Sequence, residues 1–239
     1  MPRVVVLGCG TGVGKTRVSR ALLRALAARN QPCIGLKPIE SGVIAARSGT
    51  PPEHSDAALL SQAGTLRTAQ AHPLYALREP VSPHLAARNS GLAIELSQVL
   101  AWVNGAEMEV ASLVSSDRAI WSIVETAGGV LSPLAPGLTN FDLARILEPA
   151  IWLLVAADAL GVLHDVSATN EALSARGRPA DYLVLSQARA PDASTGGNAV
   201  ELRSLGIATP AAVLERNDDR GLEPVVVRLL ASAARQSVG

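Results

Sequence analysis

Residues 4–16, Val-Val-Val-Leu-Gly-Cys-Gly-Thr-Gly-Val-Gly-Lys-Thr, leave little freedom to the fold around them. Val4 to Leu7 is a run of branched aliphatic residues that reads as a buried strand. Gly8, Gly10, Gly12 and Gly14 then form a loop whose N–H groups can close round an anion, because no Cβ intervenes. Lys15 and Thr16 open a helix with Val18, Ala21, Leu22, Ala25 and Leu26 on one face. Strand, glycine loop, Lys-Thr and helix describe a phosphate cradle at a helix N-terminus. The loop departs from the eight-residue pattern in one respect: Cys9 holds the first glycine position and Gly8 stands one residue earlier.

The cradle requires a parallel sheet, and the rest of the chain alternates accordingly. Strands are expected at Cys33–Lys37, at 119–124 ending in Glu125, at 150–156, at 181–185 and at 211–214. Helices are expected up to about Asn30, over 57–63, from near Leu85, over 94–103, over 143–147, up to about Arg176, near 200–205 and over 223–234. Residues 43–55 and 188–200 read as loops, the second a mobile one, and 104–118 as a helix end and linker. Ser55 or Asp56 caps the helix that follows. The expected class is α/β, a single domain over 1–239 with a mostly parallel sheet flanked by helices, of P-loop NTPase type.

Composition narrows the partners. The formal net charge is zero, which argues against a general nucleic-acid or membrane-surface binder. No apolar run approaches the roughly 18 residues of a membrane span, and Met1-Pro-Arg leads straight into the first strand, so a soluble cytoplasmic protein is expected. Of 21 basic residues only Lys15 and Lys37 are lysines. Where arginine has replaced lysine almost everywhere, a surviving lysine marks chemistry that needs a compact ammonium. Lys37 falls at the carboxyl end of its strand, where the ligand crevice of a parallel sheet lies, and Glu40-Ser41-Gly42 continues that rim as a turn. Glu125 also ends a strand and is followed by Thr126-Ala127-Gly128-Gly129; it reads either as a magnesium-binding acid or as a strand-end carboxylate facing solvent. Asp56 reads either as an acid of the same site or as a helix cap alone.

Four segments together resemble one family. The loop Gly8 to Thr16 resembles the Gly-Thr-x-Thr-x-Val-Gly-Lys-Thr loop of dethiobiotin synthetases, which carries the same extra residue. Lys37-Pro38-Ile-Glu-Ser41-Gly42 resembles their Lys-Pro-x-x-[Ser/Thr]-Gly segment, and Glu79-Pro80-Val-Ser82-Pro83-His84 their Glu-Pro-x-[Ser/Ala]-Pro-His loop. Val124-Glu125-Thr-Ala127-Gly128-Gly129 resembles their Val-Glu-Gly-Ala-Gly-Gly turn, and 160–164 is similar, less closely, to a fifth stretch. Order and spacing hold from residue 4 to about 185.

The resemblance implies an ATP-dependent ligase of biotin biosynthesis that needs Mg2+ and closes a cyclic urea from 7,8-diaminononanoate and CO2. It implies that Gly12, Val13, Gly14, Lys15 and Thr16 hold the phosphates, with Gly128 and Ser186 also on the nucleotide. Thr16, Asp56 and Glu125 would bind the metal; Lys37, Thr11 and Ser41 would hold a carbamate, with Lys15 on the transferred group. Gly129, Val130, Leu131 and 80–83 would shape the diamine pocket, and a homodimer is implied. Ser186-Gln187 stands where much of the family has the asparagine that reads adenine, so other nucleoside triphosphates could serve. Thr126 replaces a glycine, and Leu163 an asparagine. A nucleotide-binding regulatory or assembly protein without the reaction is the alternative. Retention of Lys37 and Ser41 favours the enzyme, since a nucleotide switch has no use for a carbamate lysine.

Overall fold

The computed structural model describes residues 1–43, 54–114 and 118–236. The loop expected over 43–55 falls mostly on 44–53, outside the described residues. In chain order the elements are β1 (Arg3–Gly8), α1 (Lys15–Ala27), β2 (Cys33–Leu36), β3 (Ile39–Ser41), α2 (Asp56–Ala63), β4 (Tyr75–Leu77), α3 (Pro83–Asn89) and α4 (Leu96–Ala111). There follow β5 (Trp121–Glu125), β6 (Pro133–Ala135), β7 (Leu138–Thr139), α5 (Asn140–Ile146), β8 (Ile151–Asp158), α6 (Val162–Ala175), β9 (Tyr182–Gln187), α7 (Asn198–Ser204), β10 (Ala212–Leu214) and α8 (Glu223–Gln236).

Six strands form one parallel sheet in the order β10-β9-β8-β1-β5-β2. Because side chains alternate across a strand, β1 serves both faces. Val4 and Val6 pack with α1, Leu60 of α2 and Val225, Val226 and Leu229 of α8. Val5 and Leu7 pack on the opposite side, where α4, α5, α6 and α7 supply Val99, Val103, Leu143, Val166 and Leu202. The result is helix, sheet, helix, with a core that is almost entirely aliphatic. Trp121 and Trp152 are fully buried, one on each side, and Trp102 packs half-buried at the edge of the second.

Local chemistry explains the ends of the helices. Ser55 caps α2, its hydroxyl accepting from Ala58 N–H, and Thr139 with Asp142 forms a capping box on α5. Pro83 sits at the start of α3, two residues earlier than expected from the sequence.

Several expected boundaries need correction. Helix α1, expected to run to about Asn30, stops at Ala27, and Asn30 takes a left-handed φ of 54° in the turn beyond. The helix expected over 94–103, with a helix end and linker over 104–118, runs as α4 on to Ala111. Of Glu40-Ser41-Gly42, read as a turn, the first two belong to β3, which pairs in parallel with β4. The end of the segment read as mobile is anchored: Asp158 accepts from Gly196 N–H at 2.9 Å and from Asn198 Nδ2 at 2.7 Å.

Candidate active site

The carboxyl ends of β1, β2 and β5 meet at a cleft of about 330 Å³, lined among others by Thr11, Gly12, Gly14, Lys15, Thr16, Lys37, Ser41, Asp56, Glu125 and Gly128. β1 sits at the point where the strand order reverses, with β5 on one side and β8 on the other. That is where an open parallel sheet binds its ligands.

The loop after β1 reaches α1 through Gly14, whose φ of 96° is open only to a residue without a Cβ. A Cβ there would also stand 2.4 Å from Ser186 Oγ, so the end of β9 packs directly beneath the loop. The first amides of α1 have no partners within the helix and carry the positive end of its dipole. Lys15 is buried beside them, and its Nζ donates to Gly10 O at 3.1 Å. Burial pushes its amine down to about 8, against the opposing pull of Glu125.

Glu125 is the centre of the polar network. It is fully buried, with Oε1 accepting from Thr16 Oγ1 at 2.8 Å and from Lys37 Nζ at 2.7 Å. Its Oε2 accepts from Ser19 Oγ at 2.8 Å. The reading of Glu125 as a carboxylate facing solvent is therefore overturned. Lys37 Nζ also donates to Asp56, which caps nothing itself; the cap of α2 is Ser55. Burial pulls the Lys37 ammonium down, but Glu125 and Asp56 outweigh it and hold it above the ordinary lysine range. The side chain of Asp56 is 37% exposed, so it lies at the cleft mouth while Glu125 lies at the floor.

A second cleft of about 410 Å³ adjoins the first and shares Gly12, Gly14 and Arg17 with it. Val13, Ser186, Gln187, Arg189, Arg216 and Asn217 also line it. Ser186 is buried against Gly14, and Arg17 Nη1 donates to Leu214 O at 2.9 Å. Gln187 Oε1 accepts from Arg216 N–H at 2.7 Å. Thr11 to Thr16, Lys37, Ser41, Asp56, Glu125, Gly128 and Ser186 thus line one of two contiguous clefts.

The segments expected beside them divide. Val130 is buried in the aliphatic core, whereas Leu131 is 40% exposed. Pro80 packs against Gly42 at the rim. The extra hydroxyl of Thr126 is buried and donates to Val6 O at 3.0 Å, so it leaves the cleft untouched. Sequence reasoning missed Ser19, Glu40, Arg17 and Arg216. Only Ser19 left a signal, a hydroxyl on the otherwise aliphatic inner face of α1.

The cleft can therefore take a polyphosphate on helix amides and Lys15, and a cation on hard oxygen donors. It places a second ammonium and two hydroxyls beside them. A family model described as an AAA domain matches residues 2–226. The chain is 35% identical over 221 residues to the ATP-dependent dethiobiotin synthetase BioD of Anaeromyxobacter dehalogenans strain 2CP-C, covering 92% of each chain. It is 35% identical to the protein of that name from Frankia casuarinae, covering 90% of this chain and 84% of the other. Against the one from Xanthomonas campestris pv. campestris strain B100 the identity is 33%, over 74% of each. Among solved structures, a chain of the MinC:MinD cell division protein complex of Aquifex aeolicus matches with a TM-score of 0.50 at 12% identity, covering 97% of this chain and 96% of that one. The signal recognition particle receptor FtsY of Elizabethkingia anophelis matches with 0.53 at 12% identity, covering 95% and 65%. These two likenesses show the fold alone, a parallel sheet covered by helices on both faces.

Proposed function

We propose, from the premise that the chain belongs to the ATP-dependent dethiobiotin synthetase family, that it closes the cyclic urea of dethiobiotin from 7,8-diaminononanoate and CO2, coupled to cleavage of a nucleoside triphosphate. The observation that carries this reading is the cleft itself. It puts a phosphate loop, Lys37 and Ser41 around one volume, where a nucleotide switch would need only the first.

In the reaction one amine of the diamine adds to CO2 and loses a proton, forming a carbamate. A carbamate oxygen then takes the γ-phosphoryl group, and the nucleoside diphosphate leaves. The second amine attacks the carbonyl carbon, expels phosphate and closes the ring. Phosphoryl transfer asks the protein mainly for position and charge neutralisation. The amides of Gly12 to Thr16 and the Lys15 ammonium supply both at the phosphates. Thr16, Asp56 and Glu125 offer a hydroxyl and two carboxylates, the hard donors Mg2+ takes, and would hold that ion to neutralise phosphate charge. Lys37, leaving its pair with Glu125 and Asp56, would turn to the carbamate, with Thr11 and Ser41 as hydroxyl donors. The second cleft would take the base and ribose, read by Gln187, Arg216 and Asn217 in place of the asparagine usual in the family.

The test is a product assay. Purified protein, magnesium, 7,8-diaminononanoate and carbon-13 bicarbonate are incubated separately with ATP, CTP, GTP and UTP. Dethiobiotin carrying the label is expected by mass spectrometry with at least one triphosphate. Nucleotide binding without labelled product from any of the four would replace the ligase with a regulatory protein.

A further inference from the structure

Glu40 has no part in the chemistry above, yet it is a carboxylate only 8% exposed at the edge of the cleft. It lies on β3, three residues beyond Lys37. Both of its oxygens are engaged by the same helix: Oε1 accepts from Asp56 N–H at 2.8 Å and Oε2 from Ala57 N–H at 3.0 Å. These are the first two amides of α2, which have no partner inside the helix. Ser55 Oγ takes the next, Ala58 N–H, at 3.2 Å.

A local Ser cap is what the sequence of α2 requires, and Ser55 supplies it. The bidentate grip from β3 is additional and acts between elements. It fixes the backbone of Asp56 against the segment that carries Lys37, and among the described carboxylates lining the cleft Asp56 is the one that stands at its open mouth. Glu125 needs no such aid, because Thr16, Ser19 and Lys37 hold its two oxygens directly. The chemistry of the grip is specific to a carboxylate of this length. A glutamine would present one acceptor and one NH2 donor to two N–H donors, and an aspartate is one methylene short.

We infer that Glu40 is a positioning residue for Asp56: it anchors the first turn of α2 to β3 so that the Asp56 carboxylate is held at the cation position of the cleft. This rests on the reading of Asp56 as a metal ligand, and the experiment separates the two.

Mn2+ binding to the full chain in the presence of ADP is followed by electron paramagnetic resonance, with no turnover, for the wild type, Glu40→Gln, Asp56→Asn and the double variant. Glu40→Gln is expected to weaken Mn2+ binding by about tenfold or more, as loss of an outer-shell partner does. Its KM for the diamine should stay unchanged, and the double variant should bind no more weakly than Asp56→Asn alone. If Glu40→Gln lowers the melting temperature but not Mn2+ affinity, Glu40 is a helix cap and the inference falls. The inference also falls if Glu40→Gln keeps its full effect in the Asp56→Asn background. Unaltered Mn2+ binding in Asp56→Asn itself would remove the metal-ligand reading, and the inference with it. Glu40→Ala, which deletes both acceptors without adding a donor, carries the same comparison should Glu40→Gln fail to fold.

Discussion

Lys15 and Lys37 are both buried amines at one cleft, and their surroundings push them in opposite directions. Lys15 is brought down to about 8, mainly by burial. Between there and the ordinary 10.5, the unfolded chain keeps a proton on this residue that the folded one releases, so its contribution to stability rises with pH across that window. At neutral pH the charged Lys15 therefore weighs against the fold. Lys15→Met should stabilise the ligand-free protein at pH 7 by on the order of 2 kcal/mol, given about 1.36 kcal/mol per pKa unit and loss of the bond to Gly10 O, while abolishing nucleotide binding. Thermal melts check this, and the gain should shrink as pH rises from about 7 to 10. Lys37 runs the other way: its folded value lies above the ordinary one, so its ion pairs are fully present through neutral pH and are lost only in strong alkali. Lys37→Arg should keep nucleotide affinity within about threefold and cut turnover by at least about a hundredfold, because a planar guanidinium cannot replace a point ammonium between Glu125, Asp56 and a small anion. Calorimetric titration of ADP beside initial rates decides it, and turnover close to wild type would take Lys37 out of the mechanism.

At the scale of elements, α2 is where geometry is least forgiving. It lies so close on β2 that a Cβ at Gly35 would stand 2.7 Å from Leu60 O, as well as 2.6 Å from Leu23 Cδ1 of α1. At the far end, a Cβ on Gly64 would meet Cys33 O at 2.9 Å. Gly35→Ala must therefore push α2 away from the sheet, and Asp56 with it. Overpacking of this kind costs about 1–3 kcal/mol, a fall in melting temperature of several degrees, and weaker Mn2+ binding in proportion to the shift of Asp56. How legible these elements are in the sequence follows from the range of the forces that make them. The six strands of the sheet and their helices could be read because each is a local aliphatic run with a recognisable break. β3 and β4 could not: each is three residues long, and each exists because the other, more than thirty residues away, supplies its ladder bonds. The site divides along the same line. Lys15 is legible from the glycine loop that precedes it, and Lys37 and Glu125 because position at a strand end predicts them. Glu40 is not, because its role depends on amides of an element that no pattern places beside it.

Taken whole, the molecule divides its work on either side of β1. Toward β5 and β2 lie Lys37, Ser41, Asp56 and Glu125; toward β8, β9 and β10 lie Ser186, Gln187, Arg189 and Arg216. Gly12, Gly14 and Arg17 are common to both clefts, so the loop after β1 and the first turn of α1 join them. With a rigid parallel sheet beneath, each half should answer to mutation separately. Ser41→Ala should raise KM for the diamine several-fold and leave nucleotide affinity unchanged. Arg216→Ala should raise KM for the nucleotide and reorder the preference among ATP, CTP, GTP and UTP, with KM for the diamine unchanged. Arg216 lines the second cleft, and its backbone amide holds Gln187 there. Substitutions at distant sites without shared partners combine additively in free energy, so the effects of the pair on kcat/KM should multiply. Two-substrate initial-rate kinetics on both single variants and the double variant measure this. A double variant worse than the product would mean that the phosphate loop transmits strain between the halves, and the element carrying it would be the Gly12–Gly14 segment they share.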